Sequence, residues 1–510
     1  MHRATLTVDP TFRIADVDPR LYGSLVEHMG RGIYTGIYEP DHPSAGPDGF
    51  RGDVAELVRE LGVTLFRYPG GNFVSGYNWE DGIGPADQRP TRLDLAWRSI
   101  EPNQVGVDEF VPWSSRVGGE TMMAVNLGSR GLDAARNLVE YCNYPSGTAW
   151  SDLRRRNGAA EPYGVKVWCL GNEMDGPWQI GHKTAREYGR LAAATANAMR
   201  RVDPSIELVA CGSSNSQMPT FAAWEATVLE EAYELVDYLA LHHYFQPVDD
   251  DRDSFLAAAV AMDRFIDAAV ATCDHARAVG RHNKRIDLCF DEWNVWYQKD
   301  FAGEDNLEVA QTAPRLIEDT YSVLDAVVVG NLLISLLRHA DRVRIACLAQ
   351  LVNVIAPIRT EPGGPAWRQT SFYPFALTSR HGRGTVLRVE PRSPVHETRS
   401  QGEVPLLDAT AVLEEESGTV ALFAVNRDQR EPMGLELDVR ALPELTVGQH
   451  VTLSDQDPDA VNSATAPDRV APRQQDRLKV ADGQVEVVLP PLSWNMLRLL
   501  PTDDEVRPPR

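Results

Sequence analysis

Short apolar runs alternate with longer helical patterns between about residue 20 and residue 378. The short runs are rich in β-branched residues, which is typical of strands buried in a parallel sheet. Eight such runs separated by helices predict an α/β fold, a (β/α)8 TIM barrel. The predicted strands are residues 21–26, 64–68, 121–126, 165–170, 207–211, 238–243, 286–291 and 343–349.

Amphipathic patterns between these runs predict the helices of the barrel. A doubly wound open sheet is the alternative, but it requires a glycine-rich turn after the first strand. The first run instead ends in Glu27, His28, Met29 and Gly30. The stretch from Arg67 to about Glu120 is predicted as a long functional loop without a helix. The predicted helices are residues 53–61, 132–141, 184–202, 221–236, 254–279 and 308–338.

The pattern changes after about residue 378 to short strands separated by turn signals, which predicts a jelly-roll-like all-β sandwich. Residues 4–14 alternate polar and apolar side chains, and we expect this N-terminal segment to join the sandwich. The predicted division is therefore residues 1–16 for the N-terminal strand, 17–378 for the catalytic barrel and 379–502 for the sandwich. Residues 503–510 are predicted to be a frayed, charged tail. The predicted sandwich strands are residues 385–389, 404–413, 419–425, 435–439, 450–453, 478–480 and 485–489.

Composition narrows the class of protein. The net charge of −23 disfavours nucleic acid as a partner, because the phosphate backbone would be repelled. The N-terminal residues contain no apolar signal segment, and no apolar run is long enough to span a membrane, so we expect neither a secretory signal nor a membrane span. The six cysteines form no Cys-x-x-Cys pair and no cluster with zinc-ligand spacing, which favours reduced, buried thiols.

Most of the predicted barrel strands end in polar or aromatic side chains. Buried polar groups without partners cost about 1–3 kcal/mol each, so groups that converge at a barrel mouth need each other or a polar ligand. Asn172 with Glu173 follows the fourth strand, and Glu292 ends the seventh. The remaining strand ends supply Glu27, Arg67, Asn126, His242, Tyr244 and Gln350.

Two glutamates at strand ends suggest a paired-carboxylate glycoside hydrolase. In such enzymes one carboxyl group protonates the leaving oxygen, while the other attacks the sugar or activates water. A separation of about 5 Å predicts retention of configuration, and about 6.5–9.5 Å predicts inversion. Arg67 is placed to keep Glu292 charged, and Trp178 and Trp296 are placed to shield the site and pack on sugar rings.

Other interpretations compete at each of these positions. A single glutamate at a strand end is more often an ion-pair partner than a catalyst, and Trp79, Trp97 and Trp113 could be loop anchors instead of sugar platforms. His242 and His243 are adjacent on a strand and point to opposite faces, so we predict no metal site.

Five long blocks of sequence resemble the α-L-arabinofuranosidases of glycoside hydrolase family 51, and the resemblance extends over nearly the whole chain. The blocks are FRYPGGNFVSGYNW (66–79), WCLGNEMDGPW (168–178), FDEWNVW (290–296), QLVNVIAP (350–357) and PLSWNML (491–497).

The resemblance implies a retaining mechanism with Glu173 as acid/base and Glu292 as nucleophile. It implies that arabinose and the nucleophile are bound by Glu27, Arg67, Asn72, Asn172, Tyr244 and Gln350, with His242 as the family's strand-end histidine. It further implies that Trp97, Trp178 and Trp296 frame the sugar. It also implies no cofactor, a cytoplasmic location, and a homo-oligomer, often a hexamer, that acts on arabinofuranosyl oligosaccharides.

We therefore predict an exo-acting α-L-arabinofuranosidase that releases terminal arabinofuranose from arabinan- or arabinoxylan-type oligosaccharides. Another retaining barrel glycosidase, a β-xylosidase or an endoglucanase, would use the same two glutamates and remains the first alternative. A sugar-binding protein without catalysis is the second alternative.

Overall fold

The computed structural model describes residues 1–303, 306–307, 311–442, 445–475 and 480–501. Eight parallel strands close into a barrel in the order 1-2-3-4-5-6-7-8, which confirms the predicted (β/α)8 fold. Each strand lies within three residues of a predicted start, and the sixth and seventh extend further at their carboxyl ends. The strands are Gly23–Leu25, Leu65–Tyr68, Glu120–Val125, Val167–Leu170, Glu207–Ala210, Tyr238–Phe245, Asp287–Val295 and Val343–Ala349.

Helices surround the barrel, and their local sequence explains where they begin and end. The helix Ala185–Val202 begins after Thr184, whose hydroxyl and the carboxylate of Glu187 cap each other's backbone N–H groups. The helix Gly52–Leu61 ends at Gly62, which adopts the left-handed conformation that glycine accepts without strain. The remaining helices are Val107–Arg116, Leu132–Asn143, Ala149–Arg156, Ala223–Ala232, Arg252–Leu256, Ala258–Gly280, Val323–Arg338 and Phe372–His381.

Three of the helix predictions were wrong. The stretch after Arg67 is not free of helix, because Val107–Arg116 buries Phe110 and Trp113 against the barrel. The helix predicted over residues 254–279 is divided at Ala257 into two helices. The helix predicted over residues 308–338 begins only at Val323, where Ser322 caps it; residues 308–310 lie outside the described part of the chain.

The C-terminal strands form two sheets whose inner faces share one apolar core, as the predicted sandwich requires. The N-terminal segment pairs with both sheets: His2–Thr7 lies parallel to Met433–Asp438, and Arg13–Asp16 lies antiparallel to Thr385–Leu387. The domain limits at residues 16, 378 and 502 stay predictions, and residues 503–510 lie outside the described residues. The other strands of the two sheets are Leu407–Glu414, Thr419–Asn426, Leu445–Leu453, Arg473–Gln474, Val480–Ala481, Gln484–Leu489 and Ser493–Pro501.

The helix Val323–Arg338 joins the barrel to the sandwich and is buried on all sides. A Cβ atom at Gly330 would lie 2.2 Å from Cδ1 of Trp494, so only glycine allows this close approach. Among the described residues, no helix combines the length and the apolar character needed to cross a bilayer.

Candidate active site

The two glutamates meet at the carboxyl end of the barrel. Glu173 follows the fourth strand in a left-handed conformation, with φ of 44°, directly after Gly171 and Asn172. Glu292 lies on the seventh strand. One carboxylate oxygen of each glutamate and one ring nitrogen of His242 all lie within 4.8 Å of one another. The two carboxyl groups are therefore close enough to touch the same sugar.

Both oxygens of Glu292 accept hydrogen bonds from buried donors. Arg67 Nη1 donates to Oε1 over 2.7 Å, and the Tyr244 hydroxyl donates to Oε2 over 2.7 Å. A cation and a neutral donor aimed at the two oxygens fix the orientation of the carboxylate. The arrangement suits a group that must be a nucleophile near neutral pH.

Glu173 has a different environment. His242 Nδ1 lies 2.9 Å from its Oε1, and Trp178 Nε1 donates to its Oε2 over 2.7 Å. Burial raises the pKa of Glu173, and the nearby charge of Glu292 adds to this rise, while the contacts with His242 and Trp178 oppose it. A carboxyl group with a raised pKa beside an ionised one is the arrangement expected of a general acid and its partner.

A layer of buried charges supports the pair. Asp291 Oδ2 lies 2.8 Å from Arg67 Nε, and Asp291 Oδ1 lies 3.3 Å from His242 Nε2. Although burial opposes ionisation, the Arg67 guanidinium lowers the pKa of Asp291. Burial likewise opposes a charged imidazole, but the carboxylates of Glu292 and Asp291 raise the pKa of His242 well above its usual value. We infer that Asp291 is ionised and His242 is protonated.

The opposite side of the mouth holds Glu27, Trp97 and Gln350. Glu27 Oε1 accepts from Trp97 Nε1 over 3.0 Å, and Gln350 Nε2 donates to Glu27 Oε2 over 3.3 Å. Burial and the charge of Glu292 raise the pKa of Glu27 to about 8. Gln350 Oε1 is buried and has no hydrogen-bond partner among the described residues, so it is available to a ligand hydroxyl.

Two asparagines extend this polar wall. Arg67 Nη2 donates to Asn172 Oδ1 over 2.7 Å, and Asn172 Nδ2 donates to Asn72 Oδ1 over 3.1 Å. The guanidinium therefore fixes the Asn172 amide so that its nitrogen faces Asn72.

These side chains line a cavity of about 810 Å³. Its walls include nine of the residues predicted for the site: Glu27, Asn72, Trp97, Glu173, Trp178, Tyr244, Glu292, Trp296 and Gln350. The other three, Arg67, Asn172 and His242, are buried in contact with the lining residues. The structure thus brings all twelve predicted residues to one place.

Comparison with known proteins gives the family. Residues 57–262 match the α-L-arabinofuranosidase 1 domain, and residues 291–493 match the α-L-arabinofuranosidase C-terminal domain. The chain is 57% identical over 500 residues to an intracellular exo-α-(1→5)-L-arabinofuranosidase of Streptomyces lividans, covering 98% of this chain and 75% of the relative. It superimposes on a family 51 α-L-arabinofuranosidase of Bifidobacterium longum with a TM-score of 0.94 and 47% identity, covering 98% of this chain and 99% of that one.

The chain belongs to the α-L-arabinofuranosidases of glycoside hydrolase family 51. A further relative, an exo-α-(1→6)-L-arabinofuranosidase of Bifidobacterium longum, is 50% identical over 98% of this chain and 98% of its own length. High identity within the family therefore does not determine the linkage that is cleaved.

Aromatic side chains frame the cavity of this arabinofuranosidase. The ring centroid of Trp296 lies 5.1 Å from that of Tyr244 and 5.9 Å from that of Phe301. The ring centroid of Phe301 also lies 6.4 Å from that of Trp97. Trp178 is 43% exposed at the rim, so it can shield Glu173 without being part of the core. Trp113, by contrast, is buried beside Phe110 and is a core residue.

Three residues of the arabinofuranosidase site were missed. Asp291 joins Arg67 to His242, and its position directly before Glu292 was the available signal. Asp94 accepts from the backbone N–H of Trp97 over 3.0 Å and thereby positions that loop. Phe301 packs on two of the predicted tryptophans. Asn126, at a strand end, instead donates to the carbonyl of Tyr77 and holds a loop.

Glu173, His242 and Glu292 are also the one group, among the described residues, with spacing suited to a metal ion. The donor set does not favour this use, because a protonated imidazole cannot be a ligand and the carboxylates already accept from Arg67, Tyr244 and Trp178. The absence of a resident metal remains a prediction.

Proposed function

We propose that the protein is an exo-acting, retaining α-L-arabinofuranosidase that cleaves terminal arabinofuranose from arabinan- or arabinoxylan-type oligosaccharides by double displacement. The observation that supports this most directly is the approach of Glu173 and Glu292 to within 4.8 Å. That distance suits direct attack on the sugar and leaves no room for the intervening water that inversion requires.

In the first step Glu292 attacks the anomeric carbon of arabinofuranose and forms an ester bond. The bond to the glycosidic oxygen breaks, and that oxygen takes the proton of Glu173 and leaves as an alcohol. Arg67 and Tyr244 hold Glu292 in the orientation for attack. Glu27, Asn72, Asn172 and Gln350 are proposed to bind the sugar hydroxyls, and an amide contact to the 2-hydroxyl strengthens in the transition state.

In the second step Glu173, now a carboxylate, removes a proton from water, and the water oxygen attacks the anomeric carbon. The ester breaks, arabinose leaves with its original configuration, and Glu292 returns as a carboxylate. The pKa of Glu173 falls while the ester exists, because the negative charge of Glu292 that raises it has disappeared. The same residue is therefore an acid in one step and a base in the next.

The relatives named above support further proposals. We propose α-(1→5)-linked arabino-oligosaccharides as the first substrates to test, since the Streptomyces lividans relative is named for that linkage. The same relative is named as intracellular, which supports a cytoplasmic location for this chain. We also propose a homo-oligomer, with a hexamer as the expected size, and catalysis without a metal or an organic cofactor.

The test compares an aryl α-L-arabinofuranoside with an aryl β-D-xyloside and a soluble glucan. The proposal predicts preferential hydrolysis of the arabinofuranoside and release of single arabinose units from oligosaccharides. A preference for the xyloside or for internal cleavage of the glucan would favour the first alternative. Sugar binding without hydrolysis on prolonged incubation would favour a binding protein.

A further inference from the structure

The cavity continues beyond the two glutamates into a region that we name the outer lobe. Its walls are residues 214–217 after the fifth barrel strand, His243 and Gln246 of the sixth strand and the loop that follows it, Phe255, and residues 399–401. These residues line the same cavity as Glu173 and Glu292. The total of about 810 Å³ is near the upper end of pockets for drug-sized ligands, roughly 300–1,000 Å³, and one pentose does not fill it.

One wall of the outer lobe comes from outside the barrel. Residues 399–401 form the tip of a hairpin whose strands are Val395–Thr398 and Gly402–Pro405. This hairpin follows the last barrel helix, Phe372–His381, in the C-terminal part of the chain. In TIM barrels the active site is usually built from the loops that follow the barrel strands. Here a hairpin that is not one of those loops supplies part of the cavity wall.

The hairpin tip is fixed to the barrel by hydrogen bonds at consecutive residues. The backbone N–H of Ser400 donates to Ser254 Oγ over 3.0 Å, and Arg264 Nη1 donates to Gln401 Oε1 over 2.8 Å. Arg399 also pairs with Asp249 at 2.8 Å on the surface. The Ser400 hydroxyl accepts a hydrogen bond from Gln401 Nε2 within the hairpin, whereas the bond to Ser254 comes from the Ser400 backbone, so the side chain can be changed while the contacts with the barrel remain.

The order of strands indicates which part of a substrate the outer lobe receives. Side chains proposed to bind the arabinose, Gln350, Glu27 and Asn72, belong to or follow strands eight, one and two. Glu173 and Glu292, on strands four and seven, flank the reacting carbon. Strands five and six lie between them on the remaining side of the mouth, and the outer lobe is at their ends. A leaving group that departs beside Glu173 therefore enters this lobe.

The chemistry of the lobe suits an uncharged sugar. The loop residues 214–217 and Gln246 offer hydroxyl and amide groups, and Phe255 offers an apolar surface. His243 lies on the opposite face of the sixth strand from His242, where its ring centroid is 4.5 Å from that of Phe245 and 5.7 Å from that of Phe265, so it is not counted among the polar groups offered to the sugar. Asp251 points its carboxylate at Ser254, where it caps a helix. Amides and hydroxyls match the hydroxyl groups of a pentose chain.

We propose that the hairpin tip at residues 399–401 and the loop at residues 214–217 together form a distal subsite for the sugar units of the leaving group. This subsite sets the preference of the enzyme for oligosaccharide length. The inference depends on the proposed function, because it concerns the leaving group of that reaction.

The test measures kcat/KM for 4-nitrophenyl α-L-arabinofuranoside and for α-(1→5)-linked arabinobiose and arabinotriose. The wild-type protein should prefer the trisaccharide to the disaccharide. Ser400→Trp, which fills the lobe, and Gln217→Ala, which removes an amide from its wall, should each reduce that preference. The expected change for Ser400→Trp is about tenfold in the ratio of trisaccharide to aryl substrate, equivalent to about 1.4 kcal/mol.

The matched control is Glu403→Trp on the same hairpin, where the exposed side chain does not line the cavity. It should leave the ratio unchanged, and thermal melting should show that all three variants fold. An equal loss on all substrates for Ser400→Trp, an unchanged ratio, or a wild-type protein indifferent to chain length would overturn the inference. Loss of the proposed function itself would be seen separately, as an absence of aryl arabinofuranoside hydrolysis by the wild-type protein.

Discussion

Replacing Glu173 with alanine should slow poor substrates far more than good ones. Glu173 is 9% exposed and its carboxyl group contacts Trp178 and His242, so bulk water cannot readily replace it as proton donor. General acid catalysis contributes about 10²- to 10⁴-fold, equal to about 2.7–5.4 kcal/mol of transition-state stabilisation. An oligosaccharide, whose leaving alcohol needs the proton, should lose most of this factor in kcat/KM.

A dinitrophenyl α-L-arabinofuranoside should retain nearly all of its kcat/KM, because its leaving group departs without a proton. Its kcat should fall nonetheless, since Glu173 is also the base of the second step, and KM should fall as the ester accumulates. Added azide, which attacks without needing a base, should restore kcat. The assay is steady-state kinetics over a series of aryl leaving groups, with Glu56→Ala, an exposed position on the helix Gly52–Leu61, as the control. An equal loss for the oligosaccharide and the activated aryl substrate would refute the assignment of Glu173 as the acid.

Three further results follow from the buried groups. Glu27, whose pKa is raised to about 8, favours folding while protonated and loses this contribution as pH rises toward 8. The free energy of unfolding of Glu27→Gln, measured by chemical denaturation, should therefore rise by about 3–5 kcal/mol relative to that of the wild type between about pH 5 and pH 9. A difference between the two proteins that does not change with pH would contradict this expectation. Asp291→Asn removes the carboxylate that Arg67 and His242 share and leaves them paired only with Glu292 and Glu173, so it should cost about 3–5 kcal/mol of unfolding free energy together with activity. An unchanged melting temperature would show that Asp291 does not stabilise these two buried cations. Gly330→Ala should lower the free energy of unfolding by about 1–3 kcal/mol or more, because the added methyl group collides with Trp494. Gly131→Ala is the control, since its nearest neighbour would be 4.0 Å from the new Cβ atom. Equal melting temperatures for the two variants would show that Trp494 moves aside without cost.

The barrel was predictable because each strand is a short, mostly apolar run, and most of these runs end in a polar or aromatic residue. Glu173 and Glu292 stand at two such ends, and a closed barrel brings its strand ends to one rim. The sandwich was predictable for a similar reason, since its strands alternate and are separated by turn signals. The helix Val107–Arg116 was missed because Pro112 lies inside it and Gly106 precedes it, and both residues are typical of loops.

Asp291 was missed for a different reason. Neighbours on a regular strand point to opposite faces, so the position of Asp291 directly before Glu292 does not by itself predict that both side chains serve the same site. The pairing register of the seventh strand shifts between Phe290 and Trp293, and such an irregularity redirects side chains. Long-range contacts of this kind, like the approach of residues 399–401 to the cavity, depend on packing between distant segments and leave no local pattern.

In the proposed mechanism Glu292 becomes covalently bound to arabinose while Glu173 transfers the proton. The most direct measurement incubates Glu173→Ala with a dinitrophenyl α-L-arabinofuranoside, quenches the reaction and locates the adduct by peptide mass spectrometry. One pentosyl group is expected on the peptide that contains Glu292, attached to that residue. A pentosyl group on another residue, or a burst of dinitrophenol with no adduct and a first product of inverted configuration, would contradict it.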